Sequence, residues 1–185
     1  MISFARIPLL VLVLMSVSTL VVVGSSPQAT RSQTGKLLQL TGQVTVNGAR
    51  AVAGAPISSD SAITTGQNSS AVVSLGKLGR VEVLPQTTMK LSFADDSVSV
   101  AMLDAGRVRI SSSSGVNAST TTNDGQITTT GNQRNEYLVD TSCGNTFVSV
   151  KKGQVELRAG NSVKQIAAGN QDTAGQARPG CTPAP

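Results

Sequence analysis

At 185 residues the chain suffices for one compact domain behind an N-terminal segment, and no more. It contains no histidine, which removes histidine triads, histidine zinc sites and the commonest general base in one step. The net charge of +5 is spread thinly, with Lys151-Lys152 as the longest basic run. Only Phe93, Tyr137 and Phe147 offer rings beyond the N-terminal segment, so nucleic acid is not expected as a partner.

Arg6 opens an apolar run, residues 7–23, that carries no charge. A positive residue, an apolar stretch and then Gly24-Ser25-Ser26-Pro27 make an export signal, predicted as an N-terminal hydrophobic helix. Its 17 residues sit at the lower limit for a membrane span and above most signal-peptide cores. Residues 1–24 therefore read as a signal peptide or a membrane anchor. Either way the remainder is expected outside the cytoplasm, periplasmic or secreted, touching the membrane only through this segment. Residues 25–35 are polar, contain Pro27 and read as a flexible linker.

Beyond the linker a short phrase occurs three times: Gly42-Gln43-Val44-Thr45-Val46, Gly106-Arg107-Val108-Arg109-Ile110 and Gly153-Gln154-Val155-Glu156-Leu157. Each follows an apolar-rich run, at residues 37–40, 98–103 and 147–150. Period-two alternation puts the apolar residues of a strand on one face, and the glycine allows a tight bend before it. The unit is predicted as strand, bend, strand.

The first copy ends at Asn47-Gly48, a type I′ hairpin signal with its return strand over 49–52. Residues 61–66 form a short strand closed by Gly66, and residues 71–75 and 80–84 flank a four-residue hairpin loop, Gly76-Lys77-Leu78-Gly79. Pro85 breaks the run before a strand at 89–93, and Asp95-Asp96 turn the chain into 98–103. The serines of 111–115 read as a loop, and Asn123-Asp124-Gly125 as a hairpin turn inside 120–130. Strands at 136–140 and 163–166 complete the pattern, and residues 172–185 read as a polar, Pro-containing tail. No window after Gly24 keeps a 3.6-residue apolar period. The domain, residues 36–171, is predicted all-β: about a dozen short strands in a sandwich or a short solenoid-like roll.

Cys143 and Cys181 both lie in the exported part, where an even count favours a disulfide over two free thiols. Nothing points to catalysis. The adjacent carboxylates Asp95-Asp96 sit at a predicted hairpin tip and read as turn residues. No Gly-x-Ser-x-Gly elbow or histidine base accompanies the many serines, so the chain is read as a non-enzyme without a cofactor.

In this order and spacing the three phrases, Ile63-Thr64-Thr65-Gly66, the block 72–75, residues 81–85 and Ala167-Ala168-Gly169-Asn170-Gln171 resemble the FecR-type periplasmic domain of the ferric-citrate regulator family. The resemblance covers roughly residues 36–171. It implies the fold, the extracytoplasmic compartment and a general role in binding something in the cell envelope. Two departures limit it. Full-length family members carry a cytoplasmic anti-sigma segment before their membrane helix, whereas five residues precede Arg6 here. The family's Gly-Thr-x-Phe is replaced by Gly131-Asn132-Gln133-Arg134. The ferric-citrate relay is accordingly not carried over whole.

Arg107 and Arg109 are the candidate binding residues, because alternation places both opposite Val108 and Ile110. Lys151, Lys152 or Arg158 extend the patch if the third phrase packs nearby. Such a stripe would meet acidic glycan, lipid headgroups or an acidic partner; its bland counterpart is a charged sheet edge that discourages strand addition. The leading expectation is a non-catalytic binding or scaffolding module of the bacterial envelope. The alternative is a sensor subunit that signals through a separate membrane protein.

Overall fold

Among the described residues the alternation seen in the sequence becomes seventeen strands in two stacked sheets. The computed structural model describes residues 34–183, and the N-terminal apolar segment lies outside them. Among the described residues no helix is long and apolar enough to cross a membrane; the one helical turn is a 3-10 segment, Gly76–Leu78.

The first sheet has eight strands in the order β4 (Pro56–Ser58), β1 (Thr34–Thr41), β6 (Ser70–Ser74), β7 (Gly79–Val83), β10 (Arg107–Ser112), β13 (Asn135–Asp140), β14 (Thr146–Lys152) and β17 (Gln171–Ala174). The second has nine: β3 (Ala49–Arg50), β2 (Val44–Val46), β5 (Ser61–Thr65), β8 (Thr87–Ala94), β9 (Ser97–Met102), β11 (Asn117–Thr121), β12 (Gln126–Thr129), β15 (Gln154–Ala159) and β16 (Ser162–Ala167). Neighbours pair antiparallel except β9 and β11, which are parallel. The architecture is a sandwich. Yet both sheets grow nearly in chain order, so the chain advances as a solenoid does while crossing between layers.

The strand count exceeds the expected dozen, and two strands, β4 and β17, fall where none was expected because each is short and buries a single side chain. The expected return strand at 49–52 shrinks to Ala49–Arg50. At the margins, β1 begins two residues inside the segment read as linker, and β17 takes three residues from the expected tail.

Inward side chains fill the space between the sheets. Ile63, Val73, Val81, Leu91, Val100, Val108, Ile127, Val148 and Val155 are fully buried. Each such aliphatic side chain contributes roughly 1.5–3 kcal/mol by leaving water. Tyr137 is buried among them, with its hydroxyl 3.2 Å from Thr120 Oγ1. Burial pushes its phenol pKa up to about 12, with the Thr120 hydrogen bond acting the other way.

The repeated phrase marks the corners where the chain changes sheets. Gly42 joins β1 to β2, Gly106 joins β9 to β10, and Gly153 joins β14 to β15, each a passage from one sheet to the other. At every corner the N–H after the glycine donates to a buried polar side chain from the sheet being left, or from the residue leading into it. Gln43 donates to Ser69 Oγ (2.9 Å), Arg107 to Thr87 Oγ1 (2.8 Å) and Gln154 to Asn135 Oδ1 (3.0 Å). Each of these side chains also donates to the carbonyl two residues before it, on Gln67, Pro85 and Gln133. The glycines are needed for this approach. A Cβ on Gly106 would lie 2.6 Å from Thr87 Oγ1, and one on Gly153 would lie 2.8 Å from Arg134 O. Gly42 and Gly153 also hold φ of +71° and +79°, which L side chains rarely adopt.

The disulfide Cys143–Cys181 forms, with Cα atoms 5.5 Å apart. It returns the C-terminal segment to the β13–β14 turn, where the Arg178 N–H donates to Cys143 O at 2.9 Å. Beside it Phe147, an outward residue of β14, is only 7% exposed and shares a cleft with Ala177, Thr182 and Pro183.

Two outcomes test these ties. Thr87→Val keeps the shape but leaves the Arg107 N–H unpaired, and lowers stability by about 1–3 kcal/mol in urea titration. Thr88→Val, next along the strand, stays within about 0.5 kcal/mol. Closing a loop with a sequence separation of 38 stabilises by roughly 4 kcal/mol on the chain-entropy account, so reduction lowers the unfolding midpoint correspondingly.

Candidate functional site

Register turns the outward side chains of the first sheet into rows. One row reads Lys36, Ser74, Arg80, Ser111, Glu136, Lys152 across six strands. The next contains Val72, Glu82, Arg109, Leu138 and Ser149. A third, at the opposite end of β10, contains Arg107, Asp140 and Phe147.

The four candidate residues share this sheet but not one stripe. Arg107 and Arg109 alternate with buried Val108 and Ile110 as expected, and they fall in different rows. Arg109 Nη1 lies 2.7 Å from Glu82 Oε2 on β7. Arg107 Nε lies 3.9 Å from Asp140 Oδ2, a carboxylate whose side chain is only 1% exposed. The other Asp140 oxygen accepts the Ser142 N–H at 2.8 Å. Lys151 and Lys152 stand at the far end of β14 and share Glu136, at 3.1 and 3.6 Å. Arg158 belongs to the other sheet, where it pairs with Glu156 at 2.9 Å.

Burial pushes the Glu136 carboxyl up, but the Lys151 hydrogen bond and the charges of both lysines outweigh it and hold the pKa below its ordinary value. The hydrogen bond from Lys164 does the same for Asp172, against a smaller desolvation effect.

Ion pairing therefore moves the site's unmatched charge. Lys36, Arg80 and Arg134 have no ion-pair partner among the described residues. Arg80 and Arg134 line a cleft of about 380 Å³ together with Leu38, Ser74, Ser111, Ser113, Glu136 and Lys152. Alternation against Val81 marks Arg80 as outward in the sequence. What places it beside Ser111 and Ser74 is register, which the sequence does not display.

A second cleft, of about 450 Å³, opens at the other end between the β9–β10, β11–β12 and β13–β14 turns. Asp104, Asp124, Thr141 and Arg178 line it. Asp124 acts there as a turn residue whose carboxylate accepts the Thr146 hydroxyl at 3.0 Å. Asp95-Asp96 likewise occupy the β8–β9 turn. Among the described residues no group of three acidic, cysteine or histidine side chains is placed to hold a metal ion.

The lowered Glu136 pKa fixes a sign. Its stabilisation is fully present above the unfolded-state pKa near 4.3 and is lost as pH falls through the lower folded value. Glu136→Gln lowers stability by about 1 kcal/mol at neutral pH, discounted for the exposure of both lysines. In pH-resolved denaturation that gap narrows as pH falls below the unfolded-state value, and a gap that does not narrow with acid contradicts the ion-pair account.

No family model and no curated protein matches the sequence. Two crystal structures of a proposed anti-sigma factor from Parabacteroides distasonis share its fold, with a TM-score of 0.52 and 20% identity. The match covers 60% of this chain and 53% of that one, so the chain spans about half the length of its structural neighbour. At that identity the likeness is one of fold.

Proposed function

We propose that the chain is a non-catalytic binding or scaffolding module on the outer side of the bacterial cytoplasmic membrane, tethered or released by its N-terminal segment. The observation that carries this reading is the use to which the fold puts its polar groups. Ser69, Thr87 and Asn135 are buried and committed to backbone corners. The charged side chains stand in ordered rows on an open sheet face. That is a surface for contact. Its macromolecular partner is a protein or an envelope glycan.

A second reading is favoured by the fold shared with a proposed anti-sigma factor. In it the module is a sensor subunit that signals through a separate membrane protein. The two readings differ in whether the apolar segment is retained.

Expression of the full chain in a bacterial host, followed by protease treatment of intact spheroplasts, tests the compartment. Digestion of the domain without lysis supports the proposal, and protection until lysis overturns it. A mature N-terminus near Ser25 or Ser26 indicates the free module, whereas a retained Met1 indicates the tethered sensor.

A further inference from the structure

We propose that the outer face of the first sheet, at the row running from Lys36 to Lys152, docks onto anionic phospholipid headgroups. The inference rests on the tethered form of the reading above, in which the N-terminal segment holds the domain near a bilayer.

The row carries an excess of positive charge. Lys36, Arg80 and Lys152 lie in it, Arg80, Lys152 and Arg134 line one cleft, and Lys77 sits in the 3-10 turn between β6 and β7, whose Gly76 also lines that cleft. Glu136 is the row's own carboxylate, and Lys151 and Lys152 already share it.

The layout suits a charged plane. Neighbouring strands lie about 4.8 Å apart, so Lys36 and Arg80, two strands apart, are separated by roughly 10 Å, and Arg80 and Lys152 by roughly 14 Å. Cations spread at those intervals do not converge on one compact anion. Each instead faces a different headgroup, and the guanidinium forks of Arg80 and Arg134 match phosphodiester oxygens in pairs. An apolar residue stands among them. The register shift between Leu37 and Gln39 leaves Leu38 52% exposed in the same cleft. An exposed leucine in one cleft with three cations, Arg80, Arg134 and Lys152, suits a surface that meets lipid at the headgroup level.

Chain connection gives the same placement. β1 starts at Thr34, two residues before Lys36, so the row stands where the chain enters the domain. Ten residues, 24–33, separate Val23 at the end of the apolar run from that entry. Ten residues span at most roughly 36 Å, which keeps the row at high effective concentration over any bilayer that holds the run. The acidic turn Asp95-Asp96 lies at this end too, but on the second sheet, where the Phe93 N–H donates to Ser59 Oγ at 2.8 Å. Docking therefore uses the face of the first sheet and not the tip of the sandwich.

The full chain, reconstituted into phosphatidylcholine vesicles with or without about 30% phosphatidylglycerol, tests this. Flotation of the vesicles reads anchoring; acylation by a water-soluble reagent, resolved lysine by lysine in the mass spectrometer, reads docking. We expect Lys36, Lys77 and Lys152 to react at least about threefold more slowly on the anionic vesicles, since each basic residue near such a surface contributes roughly fivefold in partitioning. Lys90 and Lys164, on strands of the second sheet, react equally on both. Protection disappears at roughly 0.5 M salt, where screening shortens to a few ångströms, and in the Arg80→Ser/Arg134→Ser variant. Free inorganic phosphate leaves it in place. Equal labelling of the three lysines on both vesicles overturns the proposal, as does protection that survives the double substitution. A chain that floats with neither vesicle type overturns both the anchor and the docking. Flotation with only the anionic vesicles refutes the anchor and supports the docking.

Discussion

Three buried polar side chains hold this sandwich together. A chain that leaves one sheet for the other must break its ladder, and at the break an N–H is left facing the interior. Ser69, Thr87 and Asn135 each accept that N–H and return a bond to the carbonyl two residues upstream, so the corner and the approaching segment are locked in one step. An unpaired buried amide costs about 1–3 kcal/mol, a large share of the stability of a domain this size. The glycine is the steric condition for the bond, because the site of its missing Cβ is occupied by the clamp itself.

One half of that device is legible in the sequence. Glycine followed by alternating apolar residues predicts a bend and a half-buried strand, and all three copies form them. The clamping residue is not legible, because it stands 26, 20 and 19 residues away, after the first phrase and before the other two. A serine, a threonine and an asparagine do the same work, so no motif marks them. The strands missed from the sequence have a different cause. β4 and β17 close the two edges of the first sheet and each buries a single side chain, so alternation fades where it would be read.

The candidate site divides in the same way. The outward direction of Arg107 and Arg109 follows from period two, which any strand obeys. Their partners follow from register, which is tertiary. Glu82 meets Arg109 from a strand 27 residues earlier, and Asp140 meets Arg107 from the strand on the other side. These pairs neutralise the arginines that alternation alone picks out, while Arg80, on a neighbouring strand, keeps its charge. The two arginines that alternation picks out thus stand in other rows than Arg80, while Lys152 shares its row.

Scaffold and charge meet at the third corner. Gly42 and Gly106 turn at the end of the sheet that holds Arg107, whereas Gly153 follows Lys152 directly. Its clamp, Asn135, precedes Glu136, the carboxylate that holds Lys151 and Lys152. Side chains of adjacent strand residues point to opposite faces, so Asn135 works inward on the corner while Glu136 works outward on the lysines. Loosening the clamp would shift the backbone that aims Glu136, and with it the ammonium groups at one end of the cationic row. The repeated phrase is scaffold in every copy, and in its third copy the scaffold also fixes where the surface charge stands.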